Sequence, residues 1–261
     1  MNRVLPMINA EFLKLRTRRG LVLLSVVLCA VSVVLVNAII TIYHVADPIK
    51  NGPAGGLHGF TNSLELFTIA GGLAAVLIGA TAGAQDVSSG VFRSLVATGQ
   101  SRVKLALVRI PGGLMLLLPL LAAGYAVEVL ASFVLADGTP TPDAASLLIG
   151  LGWLLALAVL NYTVTLGLAA LLRSRGTAIG VMIAWELAGS RAIERISVFG
   201  SWRQLVSSFA LDRFLPGATD TVQLSRFDSI SVTLGAAVAV VIAWIVVAIA
   251  LGTWRTATQD A

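Results

Sequence analysis

The residues of this 261-residue chain that could do chemistry are few and scattered. His44 and His58 are its two histidines and Cys29 its one cysteine. The histidines could form a metal pair. No cluster of further ligands completes a coordination shell in that stretch, so solvated loop residues are the reading and no metal is expected. Cys29 sits in the middle of LVLLSVVLCAVS, which excludes an intramolecular disulfide and a Cys-rich metal site and leaves a small core residue. No Gly-Lys pair occurs, so there is no G-x-x-x-x-G-K-[ST] phosphate loop, and G-x-S-x-G and H-E-x-x-H are also missing. Carboxylate-rich repeats that could hold magnesium are missing too. No catalytic residue, no cofactor and no enzymatic activity are expected of this chain.

Polar residues inside apolar runs are the second kind of candidate. Glu186 lies near the middle of a segment starting at Gly176, where a charge costs at least ~2.5 kcal/mol unless paired or hydrated. Arg191 follows a little over one turn later and makes a structural ion pair the expected role, with a substrate contact as the alternative. Asn161 and Thr165 share one helical face and could line a polar path or bond to a neighbouring helix. Glu65 and Glu128 fall near span ends, where snorkelling to water is expected. Gly79 and Gly83 form a G-x-x-x-G that allows close packing or dimerisation.

These groups must be positioned by membrane-spanning helices. The chain is 57% hydrophobic and 12% charged, with a mean hydropathy of +0.91, far from the soluble range of about 45–50% apolar and 25% charged. Spans are expected at about 21–43, 64–84, 111–133, 147–172, 177–199 and 230–254, with no separate soluble domain. Residues 1–20 place Ile8, Phe12 and Leu15 at helical spacing beside Lys14, Arg16, Arg18 and Arg19, the pattern of an amphipathic helix on the membrane surface. The run after it is too long for a signal peptide and lacks a convincing cleavage site. Residues 200–229 form an outer loop, where Trp202, Leu205, Phe209 and Leu215 suggest another amphipathic helix. The fold class expected is an all-α integral membrane protein with six transmembrane helices.

The +5 net charge could suggest nucleic acid, but Lys and Arg sit at the ends of apolar segments, where they orient a membrane protein. With the N-terminus inside, twelve of the eighteen fall on the inner side, and five of the six outer ones belong to the single loop 200–229 or its approach. Both termini are therefore expected in the cytoplasm. The high Ala, Val, Leu and Gly content points to a bacterial plasma membrane.

The inner stretch 85–104 and its continuation, GAQDVSSGVFRSLVATGQSRVKLALVRIPGG, carries the most information. Asp86 can cap a short helix, and Val91, Phe92 and Leu95 give that helix an apolar face beside Arg93. The pattern resembles that of the permease subunits of type-two ABC exporters, which place an acidic residue, Gly-Thr four positions on, Leu, Pro-x-Ser-Arg and a later Lys in this loop. Asp86, Gly90, Leu95, Ser101, Arg102 and Arg109 stand at those positions with the spacing kept. Asp replaces Glu, and Val91, Gly99 and Arg109 replace Thr, Pro and Lys. The resemblance implies that the loop couples to a separate cytoplasmic ATP-binding subunit. Asp86, Arg93 and Arg102 would make polar contacts and Phe92 and Leu95 apolar ones. It further implies a second permease chain, as homo- or heterodimer, forming the path. The alternatives are an ATP-independent transporter, channel or scramblase, and a membrane-embedded enzyme. A secondary transporter would show matched intramembrane carboxylates in two halves, and Glu65 and Glu186 do not match in depth.

Overall fold

Apolar runs of twenty and more residues, interrupted by Gly/Pro-rich turns, leave helices as the one way to satisfy the backbone without water. The computed structural model describes residues 4–88, 99, 101–195, 197–215, 221–225 and 228–258. These are helical apart from loops and one antiparallel ribbon, Thr221–Ser225 against Asp228–Ser231.

The order is α1 (Val4–Arg16), α2 (Arg19–Ala46, with a π turn at Val27–Val31), α3 (Gly56–Ser88), α4 (Arg102–Leu107), α5 (Arg109–Val134) and α6 (Ala144–Leu172). Then come α7 (Arg175–Ala184), a π turn (Trp185–Gly189), α8 (Ser190–Arg195), a 3-10 stretch (Ser197–Leu205), α9 (Ser207–Asp212) and α10 (Leu234–Thr258). Five helical units are long and apolar enough to cross a membrane: α2, α3, α4 with α5, α6 and α10. Their outward faces carry Leu23, Leu35, Ile42, Leu130, Leu148, Ile242 and Val246, all at least half exposed. So much apolar surface would associate in water and is at home against lipid. The chain is a membrane-embedded helical protein.

Small residues set the packing. On α3, the space a Cβ would need at Gly79 and Gly83 is taken by the Tyr162 and Leu166 carbonyls of α6. The G-x-x-x-G therefore serves a seam within the chain, where van der Waals contact replaces the hydrophobic drive that lipid removes. On the other side of α6, Gly167 lies against Ala248 and Gly252 of α10. Further along, Leu157 and Leu160 share a cluster with Ala237 and Val241, so α6 and α10 run parallel.

Two ends of the bundle follow. At one, α1 packs on Gly112, Arg102 reaches Ala257, and Ala178 joins Ala84 and Ala169. At the other, the Gly55 and Leu57 amides donate to the Leu135 and Pro140 carbonyls at 2.9 and 2.7 Å, and His44 meets Asp137 at 3.2 Å. Because α6 and α10 are parallel, the chain must climb back between them, and the stretch 175–195 begins that return. Its Ala178 lies at the first end, whereas Ile193 packs on the Val206–Phe209 cluster. Glu186, Arg191, Glu194 and Arg195 keep it out of the apolar class of the other five.

Three features differ from the sequence reading. The last span starts at Leu234 rather than near 230, because Asp228–Ser231 pairs as a strand. α3 starts at Gly56 rather than near 64, because GLHGFTNS continues the helix once its first turn is tied to residues 135–140. Within 197–215 no single amphipathic helix forms. Gly200 (φ 47°) and the extended Val206 (ψ 130°) reset the helical phase. Phe209 consequently faces inward with Val206 and Ala210, while Trp202 and Leu205 are exposed. Trp244 of α10 fastens this segment by donating from its indole to the Leu205 carbonyl at 2.9 Å, and its ring lies 5.9 Å from that of Trp185.

Candidate functional site

Arg109, the first residue of α5, is buried at the end of the bundle that holds α1. A guanidinium taken out of water needs several partners to hold it there. One is the Gly83 carbonyl at the close of α3, 3.4 Å from Nη1. The backbone carbonyl of Arg109 accepts from the Tyr162 hydroxyl of α6 at 2.6 Å, and Gly113 leaves the space that the Tyr162 phenol fills. Gly112, on the adjacent face, admits α1 so closely that an added Cβ would meet that of Glu11. Glu11 is itself buried and pairs with Lys14 at 2.5 Å. Three bundle helices and α1 thus meet around one basic residue.

Into this junction runs the return arm of the 85–104 stretch. Ser101, exposed and extended (ψ 128°), precedes α4 without capping it by its side chain. Arg102 donates through Nη1 to the Ala257 carbonyl at 3.3 Å, one of the last-turn carbonyls that α10 leaves unsatisfied within itself. Gly99 has φ 79°, a value that the ring of a proline forbids, so the Gly-for-Pro departure changes the turn itself. The backbone of Asp86 belongs to α3, but its side chain, and Gly90, Phe92, Arg93 and Leu95 altogether, lie outside the described residues. Of the sequence candidates, the structure thus brings Arg102 to the bundle and leaves Ser101 at its rim.

Asn161 and Thr165 are buried in the α3–α6 seam, where Asn161 abuts Gly72 and Thr165 abuts Gly79. Thr165 donates to the Asn161 carbonyl at 2.6 Å. Both are helix-packing residues in this arrangement. Glu186 lies half-buried in the π turn, a geometry often found where a helix serves a function.

One expectation is corrected. Glu65 is exposed, but Glu128 does not snorkel: it is 1% exposed and accepts from the Asn37 amide at 2.8 Å. Ser63 of α3 faces the same carboxyl. The signal was present in the sequence as polar residues in three spans at similar depth. Asn37 lies nine residues before Ala46, Ser63 seven after Gly56 and Glu128 six before Val134. Arg109 was visible only as a position in a loop pattern, and nothing in its neighbours' hydropathy announces burial.

Among the described residues no group of three His, Cys, Asp or Glu could hold a metal ion. Compared with known proteins, the chain matches no protein-family model and no curated protein. Among its described residues the site is a junction of the ends of α1, α3, α5, α6 and α10.

Proposed function

We propose that this chain is the membrane-spanning permease subunit of a type-two ABC exporter in a bacterial plasma membrane. It crosses six times, with both ends and the α1 surface helix on the cytoplasmic side. Two such chains form the path, and a separate cytoplasmic ATPase seats under residues 85–104. The observation that carries this reading is the clasp of α4 on the end of α10 by Arg102, continuous with the buried Arg109. A push on the 85–104 stretch reaches the ends of α3, α5, α6 and α10 through that junction. ATP-driven closure of two ATPase subunits would then tilt the helices between inward and outward access, each state favoured by the contacts it makes. The climb of 175–195 between the parallel α6 and α10 supports the sixth crossing. The loop pattern of Asp86, Gly90, Leu95, Ser101 and Arg102 supports the family.

The test is gentle purification of the tagged chain from its native membrane, with Ser89→Cys as a cross-linking handle. A near-stoichiometric soluble subunit with a phosphate-binding loop, cross-linked at position 89, is the expected result. A chain that purifies alone, or only with itself, removes the reading and leaves ATP-independent transport.

A further inference from the structure

The Asn37–Ser63–Glu128 cluster has polar atoms that the protein does not satisfy. Asn37 uses Nδ2 to donate to the Val33 carbonyl at 3.1 Å and to Glu128 Oε2 at 2.8 Å. Both amide hydrogens are thereby spent, and Asn37 Oδ1 remains as a pure acceptor. Glu128 Oε1 is a second acceptor, and Ser63 Oγ faces that carboxyl without completing a hydrogen bond. All three atoms are buried and without a partner, in residues exposed by 5%, 1% and 2% for Asn37, Glu128 and Ser63. A single serine hydrogen cannot serve two acceptors and a carboxylate charge.

Charge bookkeeping points the same way. No Lys or Arg occurs in 20–46, 56–88 or 110–134, so the helices that build the cluster bring no cation to it. A buried carboxylate without a counter-charge is among the costliest groups a fold can carry. Three oxygens of carboxylate, amide and hydroxyl type are hard donors that suit a hard cation. One carboxylate neutralises one positive charge, and a divalent ion would leave an excess in the interior.

We propose that Asn37, Ser63 and Glu128 hold one small monovalent cation of the sodium class between α2, α3 and α5. The ion completes the cluster and ties the three helices together about 9–14 Å below their ends, at 1.5 Å per residue. The close approach that makes room for it lies one turn deeper, where Gly124 packs on the Cys29 carbonyl beside the π turn and on the Phe67 ring. The site rests on this geometry alone and is independent of any ATPase partner.

The experiment is thermal unfolding of the purified full-length chain in detergent, with sodium chloride replacing N-methyl-D-glucamine chloride at constant ionic strength. A saturable rise in Tm of about 5 °C is expected, as for any ligand that binds only the folded state. Glu128→Gln keeps the shape, removes the charge and should abolish the rise. Ser63→Ala should keep the rise with a severalfold higher half-saturating sodium concentration, which preserves the test if Glu128→Gln does not fold. Wild-type stability that ignores sodium, or an undiminished sodium response in folded Glu128→Gln, overturns the proposal and leaves a carboxyl neutralised by a proton.

Discussion

The Tyr162 hydroxyl donates to the Arg109 carbonyl at 2.6 Å, locking α6 to the first residue of α5. Tyr162 is the largest wholly buried side chain of the protein's described residues, and its phenol fills the space that Gly113 leaves open. Tyr162→Phe keeps the ring and removes one hydrogen bond from a carbonyl that keeps its partner within α5, a loss of about 0.5–1.5 kcal/mol. Gly113→Ala is expected to be worse, because the obstacle is a ring packed on all sides. Thermal unfolding in detergent should rank wild type above Tyr162→Phe and Tyr162→Phe above Gly113→Ala. The reverse order of the two variants would mean that the ring can move aside.

The α3–α6 seam gives a matched comparison between glycines. Gly79→Ala and Gly83→Ala drive a methyl into backbone carbonyls that cannot rotate away, and each should cost about 1–3 kcal/mol. Gly180→Ala meets open space on a helical backbone, and should be neutral or slightly stabilising by up to about 1 kcal/mol. Equal losses at all three positions would show that helix propensity, not the seam, is being measured.

Coarse architecture was legible because lipid imposes it: a run such as Leu21–Tyr43 has no soluble alternative, and its helix extends only a few residues past the expected ends. The partners of polar residues were not legible in the same way. Glu128 looked free to snorkel, since six residues separate it from Val134, and only the adjacency of Asn37 and Ser63 on other helices holds it inside. The 197–215 segment failed for a local reason. A helical wheel assumes one phase, and the backbone breaks at Gly200 and Val206 separate Trp202 from Phe209. Gly99 shows a third limit, because its positive φ distinguishes it from proline in a way that residue spacing does not.

Asp143 caps α6, with Oδ1 accepting from the Ser146 amide at 2.8 Å. Hydrogen bonds from the Ser146 side chain, then from its backbone, hold the Asp143 carboxyl below its ordinary value. A depressed carboxyl contributes stability that is fully present above its unfolded pKa, about 3.9, and is lost as pH falls through the lower folded value. Asp143→Ala should therefore lower Tm at neutral pH and flatten the acid limb of the stability curve. Asp143→Asn, another good cap, should hold Tm while removing the same pH dependence. A Tm unchanged in Asp143→Ala would mean that the cap does not limit stability.

If the proposed phosphate-loop partner binds the 85–104 stretch, its apolar residues should transmit the push. Replacing Phe92 and Leu95 together by Asp is expected to uncouple ATP hydrolysis from transport in reconstituted vesicles while insertion stays intact. Coupling that survives the double change would remove this stretch from the mechanism.

The sixth crossing can be tested without knowing the cargo. Cys29, the one cysteine, is buried, and Cys29→Ala gives a background in which single cysteines report sidedness. Gly52 and Gly138 lie at the end of the bundle opposite α1 with no atom within 4 Å of an added Cβ, and the positive φ of Gly138 (77°) makes a side chain there strained but reachable by reagent. Gly176 lies at the α1 end, and Gly200 follows the climb of 175–195, again with nothing near its Cβ. An impermeant maleimide applied to intact cells should label cysteine at 52, 138 and 200 and spare that at 176, which reacts only after the membrane is opened. Labelling at 200 only in opened cells would mean that 175–195 returns without crossing. The last apolar helix would then run from the inner side outward, placing Thr258 opposite Val4 and breaking the shared basic end that the Arg102–Ala257 bond defines.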